Sequence, residues 1–230
     1  MWQFGETESA ALALSLAVAS RAVVINLLPA VLIAWLLTRR RFPGRTLLDA
    51  FVHLPLVLPP VVVGYLLLLL LGTRGPIGGW LDRAFDLQLT FSTLGAAVAT
   101  AVMSFPLMVR SMRISLENVD RGLEEAARTL GAGPWRRFGT ITLPLMLPGV
   151  LAGVVTAFAA GLGEFGAVIT FVSNIPGETR TLPLALYTAL QSPDGDATAA
   201  RLAMLSFSLG LTGLLASELL ARWLRRWLGK

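Results

Sequence analysis

The sequence predicts an all-α polytopic membrane protein, one transmembrane domain over residues 1–230, and three observations carry that expectation. Of the 230 residues, 55% are hydrophobic and 14% charged, more apolar surface than one soluble core of this size hides. The apolar residues gather into five runs, each near the roughly 20 residues a helix needs to cross about 30 Å of hydrocarbon. Charge is confined largely to the connections between those runs.

The first run covers about residues 12–37. The segment before it carries Glu6 and Glu8 and no basic cluster, and the run far exceeds a signal-peptide core, so the span is expected to be retained. Arg21 lies within reach of the outer headgroups by snorkelling. The second run, 50–71, holds Pro55, Pro59 and Pro60 near its start, which remove backbone donors and permit bends. His53, the only histidine, sits at its edge and is expected to hydrogen-bond between helices. The third run, 91–109, carries Pro106 near its end. In the fourth, 145–163, Gly149, Gly153, Ala157 and Gly161 recur every four residues and lay a ridge without large side chains, suited to close helix packing. The fifth covers 200–221. Between the last two, Phe165–Val172 is apolar but short, and Pro176, Gly177 and Pro183 follow it. A re-entrant or pore-lining segment is expected there, and a sixth span stays open.

Fourteen of the 19 basic residues fall in three regions: Arg39, Arg40, Arg41 and Arg45; Arg110, Arg113, Arg121, Arg128, Arg136 and Arg137; and Arg222, Arg225, Arg226 and Lys230. The alternate connections, 72–90 and 164–199, hold three arginines against six acids. Positive-inside bias then places the amino terminus outside and the carboxyl terminus in the cytoplasm, as an odd number of spans requires. Asp49 and Glu218 lie near inner ends, where water reaches them.

Several function classes are excluded or disfavoured. The net charge of +5 is explained by orientation, so nucleic acid is not an expected partner. Without cysteine there is no thiolate metal site and no cysteine nucleophile. The only lysine is Lys230, so no phosphate-binding Gly-x-x-x-x-Gly-Lys loop exists and ATP hydrolysis must belong to another polypeptide. His53 has no His-Glu-x-x-His context, which disfavours an intramembrane hydrolase. No catalytic, metal or cofactor site is expected. A stand-alone channel or secondary transporter is disfavoured because no inverted repeat is evident.

The polar connection at about 110–144 is the most specific part of the chain. Residues 115–131 read as one amphipathic helix, with Leu116, Val119, Leu123, Ala126, Ala127 and Leu130 opposite Glu117, Asp120, Arg121, Glu124, Glu125 and Arg128. Gly131 and Gly133 suit a helix end, and Pro134 is expected to prevent continuation. By itself the segment fits either a solvated helix on the headgroups or a docking element. Glu125-Ala126-Ala127, three residues, Gly131, nine residues, then Ile141-x-Leu143-Pro144 is a pattern that resembles the cytoplasmic loop by which permease subunits of bacterial ABC importers engage their ATPase. The resemblance makes Glu124, Glu125, Ala126, Ala127, Arg128, Gly131, Ile141, Leu143 and Pro144 the ATPase-docking residues.

Beyond the fourth run, Glu164 lies between glycines at membrane depth, suited to a functional site or to capping. Thr170, Ser173, Asn174, Thr179, Arg180 and Thr181 follow. Several neutral donors with one cation suit a pathway that binds a small anion weakly, and equally suit an ordinary polar loop. Three stretches, His53–Tyr65, Met103–Arg110 and Gly163–Thr181, are similar to molybdate permease subunits of bacterial ABC importers. That resemblance implies the type I importer permease fold, an inner-membrane homodimer with one central pathway, two ATPase copies in the cytoplasm and a periplasmic molybdate-binding protein outside. Sulfate, thiosulfate and tungstate permeases share part of the pattern and remain alternatives for the cargo.

Overall fold

The computed structural model describes residues 5–227, and their side chains except those of 217, 218 and 220–227. Glu218, Arg222, Arg225 and Arg226 therefore lie outside the described side chains, and Lys230 outside the described residues. Every regular element among the described residues is helical. Four uninterrupted helical stretches are long and apolar enough to cross a membrane, and a bent pair, Arg45–Leu56 with Pro60–Leu71, makes a fifth if it counts as one broken span and not as a re-entrant loop.

Helix α1 (Glu6–Arg39) is 34 residues long, about 51 Å at 1.5 Å per residue, longer than the hydrocarbon layer alone. The second run is not one straight span. Helix α2 (Arg45–His53) passes through a 3₁₀ turn into α3 (Pro60–Leu71), and the axis turns by 113° between them. Pro55, Pro59 and Pro60 withdraw three backbone donors within six residues, so the helical ladder cannot continue there. At 12 residues, α3 is about 18 Å long, short of a full crossing by itself. The short α4 (Gly78–Phe85) leads to α5 (Thr93–Glu117), which runs eight residues beyond the expected end of the third span and places Pro106 in its buried middle.

The amphipathic helix expected over 115–131 is divided in two. Leu116 and Val119 are buried with the end of α5, the chain leaves the helix at Asn118, and α6 (Arg121–Thr129) starts afresh. Asp120 causes the restart, since its carboxylate accepts from the Gly122 amide at 2.8 Å and caps the new helix. The helix of the loop does not continue through Pro134, which instead begins a separate helix, α7 (Pro134–Arg137), because an N-terminal position needs no proline N–H. A π-helical turn over Phe138–Thr142 then joins α7 to α8 (Leu143–Leu162), and Pro134–Leu162 forms one 29-residue stretch. Pro144, which has no N–H to give Thr140, sits where the ladder widens, and the Leu143 amide reaches back to the Phe138 carbonyl.

The segment 164–190 forms no sixth span. It folds as α9 (Gly166–Val172) and α10 (Leu182–Leu190), separated by the Pro176-Gly177 turn, with Gly177 at φ +79°. The last passage is α11 (Asp196–Trp227).

Helix α5 is central, packing most extensively on α1 and α8. Met108, Val109, Met112 and Leu116 of α5 meet Ala30, Ala34 and Leu37 of α1 and Met146 of α8 in a fully buried layer. Toward the other end, Ala96 and Ala99 join Val63 and Leu67 of α3 and Val168, Phe171 and Val172 of α9. Small residues make these approaches possible. A Cβ on Gly149 would overlap the Ser115 side chain and stand 2.8 Å from the Ser111 carbonyl, and one on Gly161 would stand 2.8 Å from Thr100. Gly153 faces Met108, and Ala157 is buried beside them. One polar bridge crosses the α1–α5 seam, where Asn26 Nδ2 donates to the Ala101 carbonyl at 2.8 Å and to Ser104 at 3.2 Å.

Candidate functional site

One end of the bundle collects the carboxyl ends of α1 and α5, the start of α2, all of α6 and the start of α8, with Arg39, Arg113, Arg121 and their neighbours. Glu124 is its centre. Its carboxylate lies 3.2 Å from Arg39 at the end of α1 and accepts the Thr142 hydroxyl at 2.7 Å from the π-helical turn before α8. Arg39 also donates to the Val119 carbonyl at 3.1 Å. The Arg39 side chain is 7% exposed and Glu124 20%, so the pair is largely shielded from water and salt. Segments distant in sequence thus meet on a single carboxylate. Sequence reasoning placed Glu124 in the loop but did not name Arg39 or Thr142 as its partners; the only sequence signal was an arginine at a span end and a threonine inside Ile141-x-Leu143-Pro144.

Glu125, Ala126 and Arg128 point outward and are exposed, while Ala127 is half-buried. Leu123 and Leu130 are 48% and 88% exposed and Trp135 81%. A short charged helix with an uncovered apolar face is unusual outside a bilayer unless something covers it. Gly131 ends α6 at φ +80°, where the Ala132 amide reaches the Ala127 carbonyl at 2.9 Å and the Gly131 amide reaches Arg128 at 3.0 Å. That pair of bonds is the Schellman closure, which favours glycine. Ile141 and Leu143 are half-buried and Pro144 exposed.

A second set of ion pairs braces the same end. Asp49 of α2 receives Arg113 of α5 at 2.6 Å, and His53 Nδ1 lies 3.1 Å from the same carboxylate. His53 also contacts the Asp49 carbonyl at 2.9 Å, so the histidine bonds within its own helix and not between helices. The four-residue spacing of Asp49 and His53 puts them on one helix face, close enough to satisfy each other.

The residues expected to line an anion pathway are gathered at the opposite end, around the α9–α10 turn. Ser173 holds φ +67° there. Its carbonyl accepts the Thr179 hydroxyl at 3.1 Å, and the Thr179 oxygen accepts the Ile175 amide at 2.8 Å. Arg180 Nε donates to Asn174 Oδ1 at 2.9 Å, and Asn174 Nδ2 donates to Thr188 at 2.8 Å. Thr179 and Thr181 are buried, and Thr170 bonds back to the Gly166 carbonyl at 2.8 Å. Arg180 and Thr188 face a cavity of about 380 Å³ that also touches Glu8, Asp194 and Thr198. Glu8 is buried there and receives Arg201 Nε at 2.7 Å, tying α1 to α11. Glu164 accepts the Ala167 amide at 2.9 Å, a capping bond for α9. Two of the three characteristic sequence stretches are packed together, since a Cβ on Gly64 would stand 2.6 Å from the Ala167 carbonyl and one on Gly166 would stand 2.8 Å from Pro60. Among the described residues no group of three or more acids, histidines and cysteines is arranged to hold a metal ion.

The chain is 59% identical over 225 residues to the "Molybdenum transport system permease protein ModB" of Escherichia coli (strain K12), covering 98% of each chain. It is 44% identical over 179 residues to the "Sulfate transport system permease protein CysT" of the same strain, covering 78% of this chain and 64% of the other. Its fold is similar to a crystal structure of a bacterial alginate ABC transporter in complex with a pentasaccharide-bound periplasmic protein, with a TM-score of 0.75 at 18% identity, covering 96% of this chain and 80% of that one. The fold is that of type I ABC importer permeases. The model of the binding-protein-dependent transport system inner membrane component matches residues 11–228, and with a full-length relative at 59% identity the chain belongs to this family of multi-pass inner-membrane permeases.

Proposed function

We propose that the chain is the translocating subunit of a molybdate importer, working as a homodimer with two copies of a separate ATPase and a periplasmic molybdate-binding protein. One observation carries the cargo: the even match at 59% identity, end to end, to a molybdenum permease. The 44% match to a sulfate permease keeps sulfate as the second reading, since both anions are tetrahedral and doubly charged.

In this reading the arginine-rich end faces the cytoplasm and the amino terminus lies outside, which is the orientation favoured by the positive-inside bias of Arg39, Arg40, Arg41 and Arg45. The ATPase covers Leu123, Ala126 and Leu130, whose exposure supports a protein surface there. Closure of the two ATPases moves the loop 110–144, and the Glu124 carboxylate passes that displacement to α1 through Arg39 and to α8 through Thr142. Packed helices with interlocking small residues move as bodies, so a shift at α6 reorients spans instead of dissipating locally. At the far end the Asn174–Arg180 pair presents one cation among neutral donors, enough to attract an oxyanion without trapping it.

The deciding experiment is ATP-dependent uptake of labelled molybdate into vesicles holding this chain with its ATPase and binding protein, competed separately by sulfate and tungstate. Uptake that resists excess sulfate is expected; preferential sulfate uptake would move the cargo to the second reading. Arg180→Ala removes the cation and leaves Asn174 unoriented. Its initial uptake rate should fall about tenfold, the effect of one charge-assisted hydrogen bond, with ATPase copurification unchanged. A normal rate would return 170–181 to the role of a structural turn.

A further inference from the structure

At the arginine-rich end, five arginines, Arg39, Arg40, Arg41, Arg45 and Arg121, surround a cavity of about 510 Å³ with Glu117 as its single acid. Arg39 is neutralised by Glu124, and Glu117 leans 3.9 Å from Arg113 outside the cavity. Arg40, Arg41, Arg45 and Arg121 have no carboxylate partner among the described side chains. Thr38 Oγ1 and Arg39 Nε, in the cavity wall, are buried without a hydrogen-bond partner. Four uncompensated cations and two orphaned polar atoms around one space call for an anion.

Arg40 also borders a second, apolar cavity of about 230 Å³ lined by Leu32, Trp35, Pro134, Trp135 and Phe138. Its guanidinium lies 5.2 Å over the Trp35 ring, joining the cationic space to the apolar one. Leu32 and Trp135 are 47% and 81% exposed. A free phosphate has no use for the apolar half, and an apolar peptide has none for the arginines. An amphiphile with an anionic head uses both.

We propose that the two adjoining cavities form one site for an anionic phospholipid, its phosphate held by Arg40, Arg41, Arg45 and Arg121 and an acyl chain laid against Leu32, Trp35 and Trp135. The position fits, because the cationic cavity lies where α1 leaves its apolar run, at the depth of the headgroups, where tryptophan and arginine are favoured. Such a lipid bridges the α1–α2 turn, the first residue of α6 and the start of α7, and so steadies the base of the loop that carries Glu124. The proposal stands apart from the cargo and from transport.

The test is native mass spectrometry of the full-length chain from mixed micelles of phosphatidylglycerol and phosphatidylcholine with identical acyl chains. Retention of phosphatidylglycerol in preference to phosphatidylcholine is expected, and in the Arg41→Gln/Arg45→Gln double variant that preference should drop about 30-fold. Trp135→Ala should weaken retention without changing headgroup preference, and Arg83→Gln, at the opposite end of the bundle, should change nothing. Equal retention of the two lipids, or a double variant that binds as the parent does, would overturn the site. Displacement of the lipid by glycerol phosphate at equal concentration would assign the cavity to a free phosphate ester, and displacement by the ATPase would assign it to that protein; either result overturns the lipid.

Discussion

Glu124→Lys is expected to lower ATP-driven uptake about 100-fold while leaving the chain in the membrane, because it sets a second cation beside a largely buried Arg39 and removes the acceptor of Thr142. Stripping one partner from a shielded pair leaves the other charge uncompensated, a cost of about 3 kcal/mol or more in buried cases. At about 1.4 kcal/mol per factor of ten, that is roughly 100-fold in any equilibrium that needs α6 seated on α1 and α8. Glu124→Gln keeps an acceptor for Thr142 and gives up the ion pair, so its loss should be nearer tenfold. The measurement is the initial uptake rate in vesicles normalised to inserted protein. Parent rates in both variants would show that displacement reaches the spans by a route other than this carboxylate.

Gly149→Leu acts on assembly rather than on coupling. Its side chain has no room between α8 and α5, where even a Cβ overlaps Ser115 and crowds the Ser111 carbonyl. Overpacking of this kind costs about 1–3 kcal/mol where neighbours yield, and more where backbone stands in the way. Inserted, protease-resistant protein should therefore fall several-fold, while Gly210→Ala, on an open face of α11, should leave it unchanged. If Gly149→Leu accumulates normally and resists protease as the parent does, α5 and α8 are not locked by that contact.

The spans were legible because each is a long apolar run, and length with hydropathy is a local property. The breaks were less so. Three prolines in 50–71 announced a bend but not its 113° extent, which depends on how α2 and α3 each find neighbours. The division at Asn118 was hidden because the apolar spacing from Leu116 to Leu130 continues across it. In three dimensions Leu116 and Val119 face the core, whereas Leu123 and Leu130 face outward. The Glu-Ala-Ala pattern was visible as identities at fixed offsets, while the partnership of Glu124 with Arg39 and Thr142 was not, since nothing in the 84 intervening residues relates positions 39 and 124. Around 164–181 composition conveyed polarity and no more; which hydroxyls are consumed inside the turn follows from backbone geometry at Ser173 and Gly177.

The three-way contact on Glu124 also has a history in time. Arg39 leaves the ribosome 103 residues ahead of Thr142, and at bacterial synthesis rates that gap lasts about 5–20 s. Glu124 follows Arg39 by 85 residues, so for most of that interval the first helix ends in a cation whose eventual partner has not yet been made. The contact that ties α1 and α6 to the start of α8 therefore closes only after the whole stretch from residue 39 to residue 142 has been made.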